Sequence, residues 1–238
     1  MKVEVLFGEV CNQFGDPRNA EYLKLACPEA EFIFTPLDGT PRFVTERPDM
    51  ILIGSMSERI QRAVIKKIGP FAQRIDELIA SGTVFLATGN ACEVFCRKIE
   101  YVTEKITVEG LGLFDYSVVT DWFARVNGKV IGDASGYTLT GFRSQFSTIM
   151  GDNSSEYFLR VERGFGLDKN SRFEGFRRVN FIGTQLLGPI LPLNPDFCAY
   201  LVSLAGGGPV DREASFYAEA KEAYDRRVAE FRDPSTAF

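Results

Sequence analysis

The chain has 238 residues, of which 45% are hydrophobic and 25% are charged, and its formal net charge is −5. This composition is typical of a folded globular protein and excludes a largely disordered chain. The acidic balance argues against a nucleic acid partner, and no apolar run approaches the roughly 18 residues that cross a bilayer, so we expect no membrane insertion.

The first half of the chain alternates apolar runs with amphipathic segments. Strands are predicted at residues 3–7, 31–37, 49–55 and 83–87, and helices at residues 18–27, 58–68 and 71–80. Asp16 is the expected N-cap of the first helix, which Pro17 opens; Ser57 is the expected cap of the second, and Gly82 ends the third. This order predicts a largely parallel sheet with helices on both faces.

The fourth strand leads into a pattern that is typical of a nucleophile elbow. In residues 83–99, TVFLATGNACEVFCRKI, an apolar strand meets a turn at Thr88-Gly89-Asn90 and continues into a predicted helix. Such a junction exposes a catalytic Ser or Cys in many α/β enzymes. Here the predicted tip residue is Thr88, and the chain contains no histidine.

The second half is richer in strand patterns. They occur at residues 116–126, 128–132, 137–142, 156–162 and 177–183, and a helix is predicted at residues 194–205. We expect these strands to extend one edge of the parallel sheet in antiparallel fashion. The whole chain, residues 1–238, is expected to form a single α/β domain, a three-layer sandwich around the central sheet.

A C-terminal helix is predicted at about residues 211–232. Phe216, Ala220, Tyr224 and Val228 recur there every four residues, which gives the helix one apolar face. We expect this face to dock on its own domain, and a partner-binding helix is the alternative.

Five cysteines are scattered along the chain: Cys11, Cys27, Cys92, Cys96 and Cys198. An odd number in a chain of this size indicates reduced thiols and a cytoplasmic location. Cys92 and Cys96 are spaced so that they share one face of the predicted helix. Without a histidine or a second pair nearby, we expect packing rather than a metal site.

Six segments carry a family resemblance through their order and spacing. They are LFGEVCNQFGDPRNAEYL (6–23), PDMILIGSMSERIQ (48–61), GTVFLATGNACEVF (82–95), VEGLGLFDYSVV (108–119), LTGFRSQFSTIMGDN (139–153) and FEGFRRVNFIGTQLLGPILPLNPDFCAYLV (173–202). Together they resemble class I glutamine amidotransferases of the cobyric-acid-synthase type, and most closely the amidotransferase subunits of lipid II isoglutaminyl synthases.

The resemblance implies a flavodoxin-like fold and a defined chemistry. In that family an elbow cysteine attacks the side-chain amide of glutamine, forms a thioester and releases ammonia to a synthetase that has activated a carboxylate with ATP. This reaction needs a nucleophile, a base and backbone N–H donors for the oxyanion. The resemblance implies no cofactor, and it implies a Mur-ligase-like, ATP-dependent synthetase subunit as the partner.

The sequence departs from the family at both catalytic positions. The elbow cysteine matches Thr88, whose hydroxyl is a weak nucleophile without a neighbouring base. The family histidine matches Leu187, which cannot transfer a proton. We therefore expect no catalytic residues at these two degenerate positions.

The surrounding pocket is altered as well. In the loop after the third strand only Gly54 survives, and the glutamine that follows the elbow in the family matches Cys92. Arg143 adds a charge to the apparent pocket wall that the family does not have there. It either binds an anion or faces solvent, and we favour the interpretation that it faces solvent. The predicted pocket comprises Gly54, Ser55, Met56, Thr88, Gly89, Asn90, Cys92, Arg143, Gln145 and Gln185.

The favoured hypothesis is an amidotransferase-fold subunit that no longer hydrolyses glutamine and serves a ligase as a binding or scaffolding subunit. One alternative is an enzyme or small-molecule-binding module whose pocket is rebuilt around Thr88, Asn90, Arg143 and Gln145. Another is an active amidotransferase with a non-standard nucleophile, for which Thr88, Cys92 and Cys96 are the candidates.

Overall fold

The structure, a computed structural model, describes residues 1–238. Its strands are β1 (Lys2–Leu6), β2 (Glu31–Thr35), β3 (Met50–Ile53), β4 (Val84–Thr88), β5 (Cys96–Tyr101), β6 (Ile106–Glu109), β7 (Phe114–Thr120), β8 (Val126–Ala134), β9 (Tyr137–Gln145), β10 (Ser147–Met150), β11 (Leu159–Arg163), β12 (Phe173–Glu174), β13 (Phe176–Arg178) and β14 (Phe181–Thr184). Its helices are α1 (Pro17–Ala26), α2 (Glu58–Ile68), α3 (Ala72–Ala80), α4 (Ile190–Leu193), α5 (Pro195–Leu204) and α6 (Ser215–Arg232).

The central sheet has six strands in the order β13-β14-β4-β3-β1-β2. All neighbouring pairs are parallel except β13 with β14. β3 and β4 are buried along their whole length, as expected for strands that are covered on both faces. The predicted parallel-rich α/β fold is confirmed.

The two faces of the central sheet pack into two separate cores. Apolar residues of α2 and α3 form one core with alternate strand positions such as Ile51, Ile53 and Phe85. Residues of α1 and α5 form the other core with Val5, Leu52 and Leu86. Because side chains alternate along a strand, consecutive residues at a strand end reach opposite faces of the sheet.

The strands of the second half differ from the sequence prediction in their location, and one of their pairs, β5 with β7, is parallel. Only β13 extends the edge of the central sheet; the others form two four-stranded sheets, β10-β7-β5-β6 and β12-β11-β8-β9. A parallel return to the central sheet needs a crossover of about a dozen residues. The segment between β4 and β5, Gly89–Phe95, is shorter than that, so β5 leaves the central sheet and pairs with β6 and β7.

The helix starts follow the local sequence signals only in part. The hydroxyl of Ser57 accepts a hydrogen bond from the backbone N–H of Ile60, so Ser57 caps α2 as predicted. Asp16 precedes α1 but makes no capping bond, because its carboxylate turns towards Ser55 instead.

The C-terminal helix docks on its own chain, as expected. It begins at Ser215 rather than near residue 211, and it packs against α5, α4, β8 and β9. The Tyr217 hydroxyl donates to Asp196 Oδ1 at 2.5 Å. The Arg163 guanidinium donates to backbone carbonyls at the end of the helix, including that of Phe231 at 2.6 Å.

Candidate functional site

The elbow at the end of β4 turns at Gly89. Thr88 has the extended backbone of a strand residue (φ −104°, ψ 150°), whereas Gly89 has φ +57°. Strained or left-handed backbone is what the tip of a nucleophile elbow requires. The segment that follows is a run of 3-10 turns, Gly89–Phe95, rather than an α-helix, and Cys96 already begins β5.

Gly89, and not Thr88, faces Leu187 across the elbow. A Cβ atom built on Gly89 would lie 2.7 Å from Ser55 Cβ and 2.8 Å from Leu187 Cδ2. Both distances are far inside van der Waals contact, so not even a methyl group fits at the tip. The prediction that Thr88 is the tip residue is therefore wrong: the elbow presents a residue with no side chain.

Thr88 lies on the opposite side of the elbow, beside α1. Its side chain is buried and lies near the carboxyl group of Asp16. Burial raises the pKa of Asp16, an effect that hydrogen bonds from Ser55, Thr88 and Asn19 oppose. Sequence reasoning missed this carboxyl group because it assigned Asp16 to a helix cap.

In the loop after β3, the backbone N–H groups of Ser55 and Met56 are both hydrogen-bonded to side chains. The N–H of Ser55 donates to Asp16 Oδ2 at 2.5 Å, and the Ser55 hydroxyl donates to the same oxygen at 2.6 Å. The N–H of Met56 donates to Asn90 Oδ1 at 2.9 Å, and Asn90 Nδ2 donates to the carbonyl of Met56 at 2.7 Å. Gly54 lies close to the β1–α1 loop, since a Cβ there would lie 2.6 Å from the carbonyl oxygen of Cys11.

Leu187 is buried, and its backbone is fixed by the neighbouring sheet. Its N–H donates to the carbonyl of Phe142 at 2.8 Å, and its carbonyl accepts from the N–H of Phe142 at 3.5 Å. The side chain therefore points at the elbow from a well-defined position, where it contributes apolar contact and no proton transfer.

Arg143 does not face solvent, so that sequence prediction is wrong. Only 1% of its surface is exposed, and its guanidinium donates to the carbonyls of Gly166 and Leu167 and to Gln185 Oε1. The Glu174 carboxylate, which accepts from the N–H of Gln185, supplies opposing charge nearby. Arg143 therefore belongs to the interior and does not await an anionic ligand.

A second buried carboxyl group, that of Glu93, was missed by the sequence analysis. It accepts hydrogen bonds from Gln61 Nε2 at 2.9 Å, from Gln185 Nε2 at 3.0 Å and from the Ser147 hydroxyl. Burial raises the pKa of Glu93 to about 7, and these hydrogen bonds oppose the rise. Because the donors come from distant parts of the chain, no local pattern could have identified this network.

A cavity of about 170 Å³ lies on the Gly89 side of the elbow, and we call it the front cavity. Gly89 and Leu187 form part of its wall. The buried Thr120 Oγ1 and Gln145 Oε1 atoms have no hydrogen-bond partner, although Gln145 Nε2 donates to the carbonyl of Ser147. Its polar lining includes Asn90, Glu93, Thr120, Ser144, Gln145 and Ser147.

A second cavity, of about 230 Å³, lies on the Thr88 side between the sheet and α1, and we call it the rear cavity. Its lining includes Val5, Leu52, Leu86, Asp16, Ala20 and Lys24. Of the predicted pocket residues, Thr88 and Gly54 line the rear cavity, whereas Ser55, Met56, Gly89, Asn90 and Gln145 line the front cavity. Cys92, Arg143 and Gln185 line neither cavity and are buried.

All five cysteines are buried free thiols. Burial raises the pKa of Cys11 to about 12 and that of Cys27 to about 11, and it raises the pKa of Cys92, Cys96 and Cys198 as well. A thiol must ionise to attack a substrate, so this argues against Cys92 or Cys96 as a displaced nucleophile.

The fold brings no three Cys, Asp or Glu side chains into an arrangement that would ligate a metal ion. Among its helices, none combines the length and the apolar character that crossing a bilayer demands.

Comparisons with known proteins agree on one family. Residues 2–194 match the model of the CobB/CobQ-like glutamine amidotransferase domain. Over 159 residues the chain is 28% identical to the lipid II isoglutaminyl synthase (glutamine-hydrolyzing) subunit GatD of Staphylococcus aureus strain N315, which covers 66% of this chain and 63% of that protein. The match thus spans less than two thirds of that relative's length.

A crystal structure of a glutamine amidotransferase from Thermotoga maritima is similar in fold. The TM-score is 0.52 at 11% sequence identity, and the superposition covers 95% of this chain and 92% of the other. At this identity the likeness concerns the fold alone.

Proposed function

Because the chain belongs to the family of CobB/CobQ-like glutamine amidotransferase domains, we propose that it is a member that no longer hydrolyses glutamine. In this proposal it serves as the binding or scaffolding subunit of an ATP-dependent, Mur-ligase-like amide ligase that uses free ammonia. The observation that carries the proposal is the pairing of Gly89 with Leu187, where the reaction needs a nucleophile facing a base.

Amide hydrolysis requires a nucleophile, a base and free donors for the oxyanion, and in this proposal the chain lacks all three. Gly89 has no side chain, and the Thr88 hydroxyl lies on the far side of the elbow, next to Asp16. Leu187 cannot accept the proton of a nucleophile. The backbone donors of Ser55 and Met56 are bonded to side-chain oxygens and are not free to bind an oxyanion.

The binding role is supported by what the chain keeps. The central sheet, the elbow turn and the six segments of family resemblance are all present, although no element of the reaction remains to require them. The similar protein from Staphylococcus aureus is described as a subunit of a synthase. A retained subunit surface would account for a family scaffold that is kept without its catalytic groups.

The test is a glutaminase assay combined with covalent trapping. The purified chain, alone and with any co-purifying ligase, is incubated with glutamine and then with an electrophilic glutamine mimic; we expect no glutamate release above the buffer rate and no adduct by intact-mass spectrometry. Thr88→Val, which removes only the hydroxyl, is expected to leave this result unchanged. Robust turnover or an adduct that Thr88→Val abolishes would overturn the proposal.

A second candidate function is favoured by the unpartnered atoms of the front cavity. Buried polar groups without a partner cost about 1–3 kcal/mol each, and Thr120 Oγ1 and Gln145 Oε1 would both gain from a polar ligand. The chain would then be a small-molecule-binding module with a rebuilt pocket. A rise in melting temperature across a panel of polar metabolites, lost in Gln145→Leu, supports this role; inertness to the whole panel counts against it.

A further inference from the structure

The rear cavity lies where an open α/β sheet ordinarily receives a ligand. Its lining includes Leu6 at the end of β1 and Ile53 at the end of β3, and these two strands are neighbours in the sheet. The helices that follow them lie on opposite faces, since α1 packs in one core and α2 in the other. The rear cavity is therefore at the topological switch point, the crevice where such sheets bind ligands.

The lining of the inner part of the rear cavity favours an apolar ligand group. Val5, Leu52 and Leu86 form the sheet side of the wall. The polar groups at the inner end already have partners: Asp16 accepts from Ser55 and from Asn19 Nδ2, and Asn19 Oδ1 accepts from the N–H of Leu191. No buried donor or acceptor there requires a polar ligand group, so contact with hydrocarbon is the favourable interaction.

The exposed residues Lys24 and Glu21 lie at the mouth of the rear cavity, and only Lys24 is free of an ion pair. Lys24 on α1 lines the cavity, and its ammonium lies 4.5 Å from the ring centre of Phe34 and 5.4 Å from that of Phe32. Lys24 forms no ion pair, whereas Glu21 at the same mouth is paired with Arg18. Phe34 is 53% exposed, which is unusual for a large aromatic residue at a strand position.

From these three observations we propose that the rear cavity binds a small monocarboxylate with an apolar body. The body, one aromatic ring in size, lies against Leu52 and Leu86, and the carboxylate pairs with Lys24 at the mouth. The volume fits this size, because cavities of about 150 Å³ hold a benzene molecule and the rear cavity measures about 230 Å³. This site is separate from the front cavity and does not depend on whether the chain hydrolyses glutamine.

The test uses three probes that share one ring and differ in charge: phenylacetate, phenylacetamide and phenethylamine. Each is titrated into the full-length, isotope-labelled protein at millimolar concentration and followed by amide chemical-shift changes. We expect phenylacetate to bind most tightly and phenethylamine most weakly. The shifts are expected at Ala20, Leu52 and Leu86, and not at Gln145 or Ser147 of the front cavity.

Lys24→Met keeps the apolar stem of the side chain and removes its charge. We expect it to weaken phenylacetate binding about fivefold, the effect of one exposed ion pair, and to leave phenylacetamide binding unchanged. The matched control is Lys66→Met, another exposed lysine, on α2 across the sheet, which is expected to change neither. Ala20→Leu fills the rear cavity and is expected to abolish binding of all three probes.

Three results would overturn the proposal. They are equal affinity for the acid and the amine, shifts confined to the front cavity, and no binding of phenylacetate to the wild-type chain. Lys24 is exposed, so Lys24→Met keeps the proposal testable if Ala20→Leu does not fold.

Discussion

The front and rear cavities lie on the two sides of one elbow, and they are built in opposite ways. Most residues that line the front cavity are polar, and two of the buried atoms in its wall lack partners. The rear cavity has an apolar wall, and its buried carboxyl group is fully hydrogen-bonded. The consecutive residues Thr88 and Gly89 separate them. The difference teaches that one elbow separates a polar site from an apolar one, so the proposed loss of glutaminase chemistry concerns the front side only.

The first test of this comparison removes the cation of the buried polar network behind the front cavity, which consists of Arg143, Glu174, Gln185 and Glu93. Arg143→Met removes the donor to Gln185 Oε1 and to the carbonyls of Gly166 and Leu167, and it takes away the cation near the buried Glu174 carboxyl. Each buried polar group left unsatisfied costs about 1–3 kcal/mol, so we expect the free energy of unfolding to fall by about 4 kcal/mol in sum. Urea unfolding, followed by far-UV circular dichroism, measures it.

The matched control for that change is Arg97→Met. Arg97 pairs with Asp115 at 2.7 Å, but both side chains are largely exposed, so the expected loss is below about 1 kcal/mol. Equal losses in the two variants would show that the interior network has no special importance for stability.

A second test fills the elbow tip. Gly89→Ala combines a left-handed backbone with two contacts under 3 Å, and we expect a loss of about 3 kcal/mol from strain and overpacking together. Gly112→Ala is the control, since Gly112 has φ +68° but nothing within 4 Å of the added Cβ. Strain alone predicts a loss of about 1 kcal/mol there. Thermal and urea unfolding compare the two variants, and similar losses would mean that the tip has room for a side chain.

A third test uses pH to probe the buried carboxyl group of Glu93 at the front cavity. The pKa of Glu93 is about 7 in the folded protein, above its ordinary value of 4.5. Folding therefore favours the protonated form, and this contribution to stability is lost as pH rises through 7. Between pH 5 and pH 8 we expect the free energy of unfolding of Glu93→Gln to gain about 2 to 3 kcal/mol relative to wild type.

The control for the pH series is Glu100→Gln on β5, where the carboxylate is exposed. Its difference from wild type is expected to stay constant across the same range. A Glu93→Gln difference that is equally flat would contradict the burial argument.

The sequence predicted the fold better than it predicted the site, for a physical reason. β3 and β4 were recognisable because both of their faces are apolar, and Ser57 caps α2 through contacts within one turn. The tip was expected at Thr88 and lies at Gly89, because backbone angles, which the sequence does not show directly, define the tip. A shift of one residue along the chain moves the side chain to the other face of the sheet.

The interior network could not be predicted from local patterns. Arg143 looked like a surface charge because its partners, Gly166, Leu167 and Gln185, lie about 20 to 40 residues further along the chain. Glu93 likewise depends on donors from three separate elements. Buried charges are rare without partners, and here the partners exist only once the chain has folded.

Because its thiols are buried, the folded chain has little cysteine reactivity. All five cysteine side chains are buried, and their protonated sulfur atoms react slowly. A single cysteine introduced at an accessible position, such as Lys66, would therefore be the one site that takes up a maleimide dye or a cross-linker. Residues on any face of the molecule can be tagged in turn, and the proposed ligase-binding surface can be sought without first deleting the native cysteines.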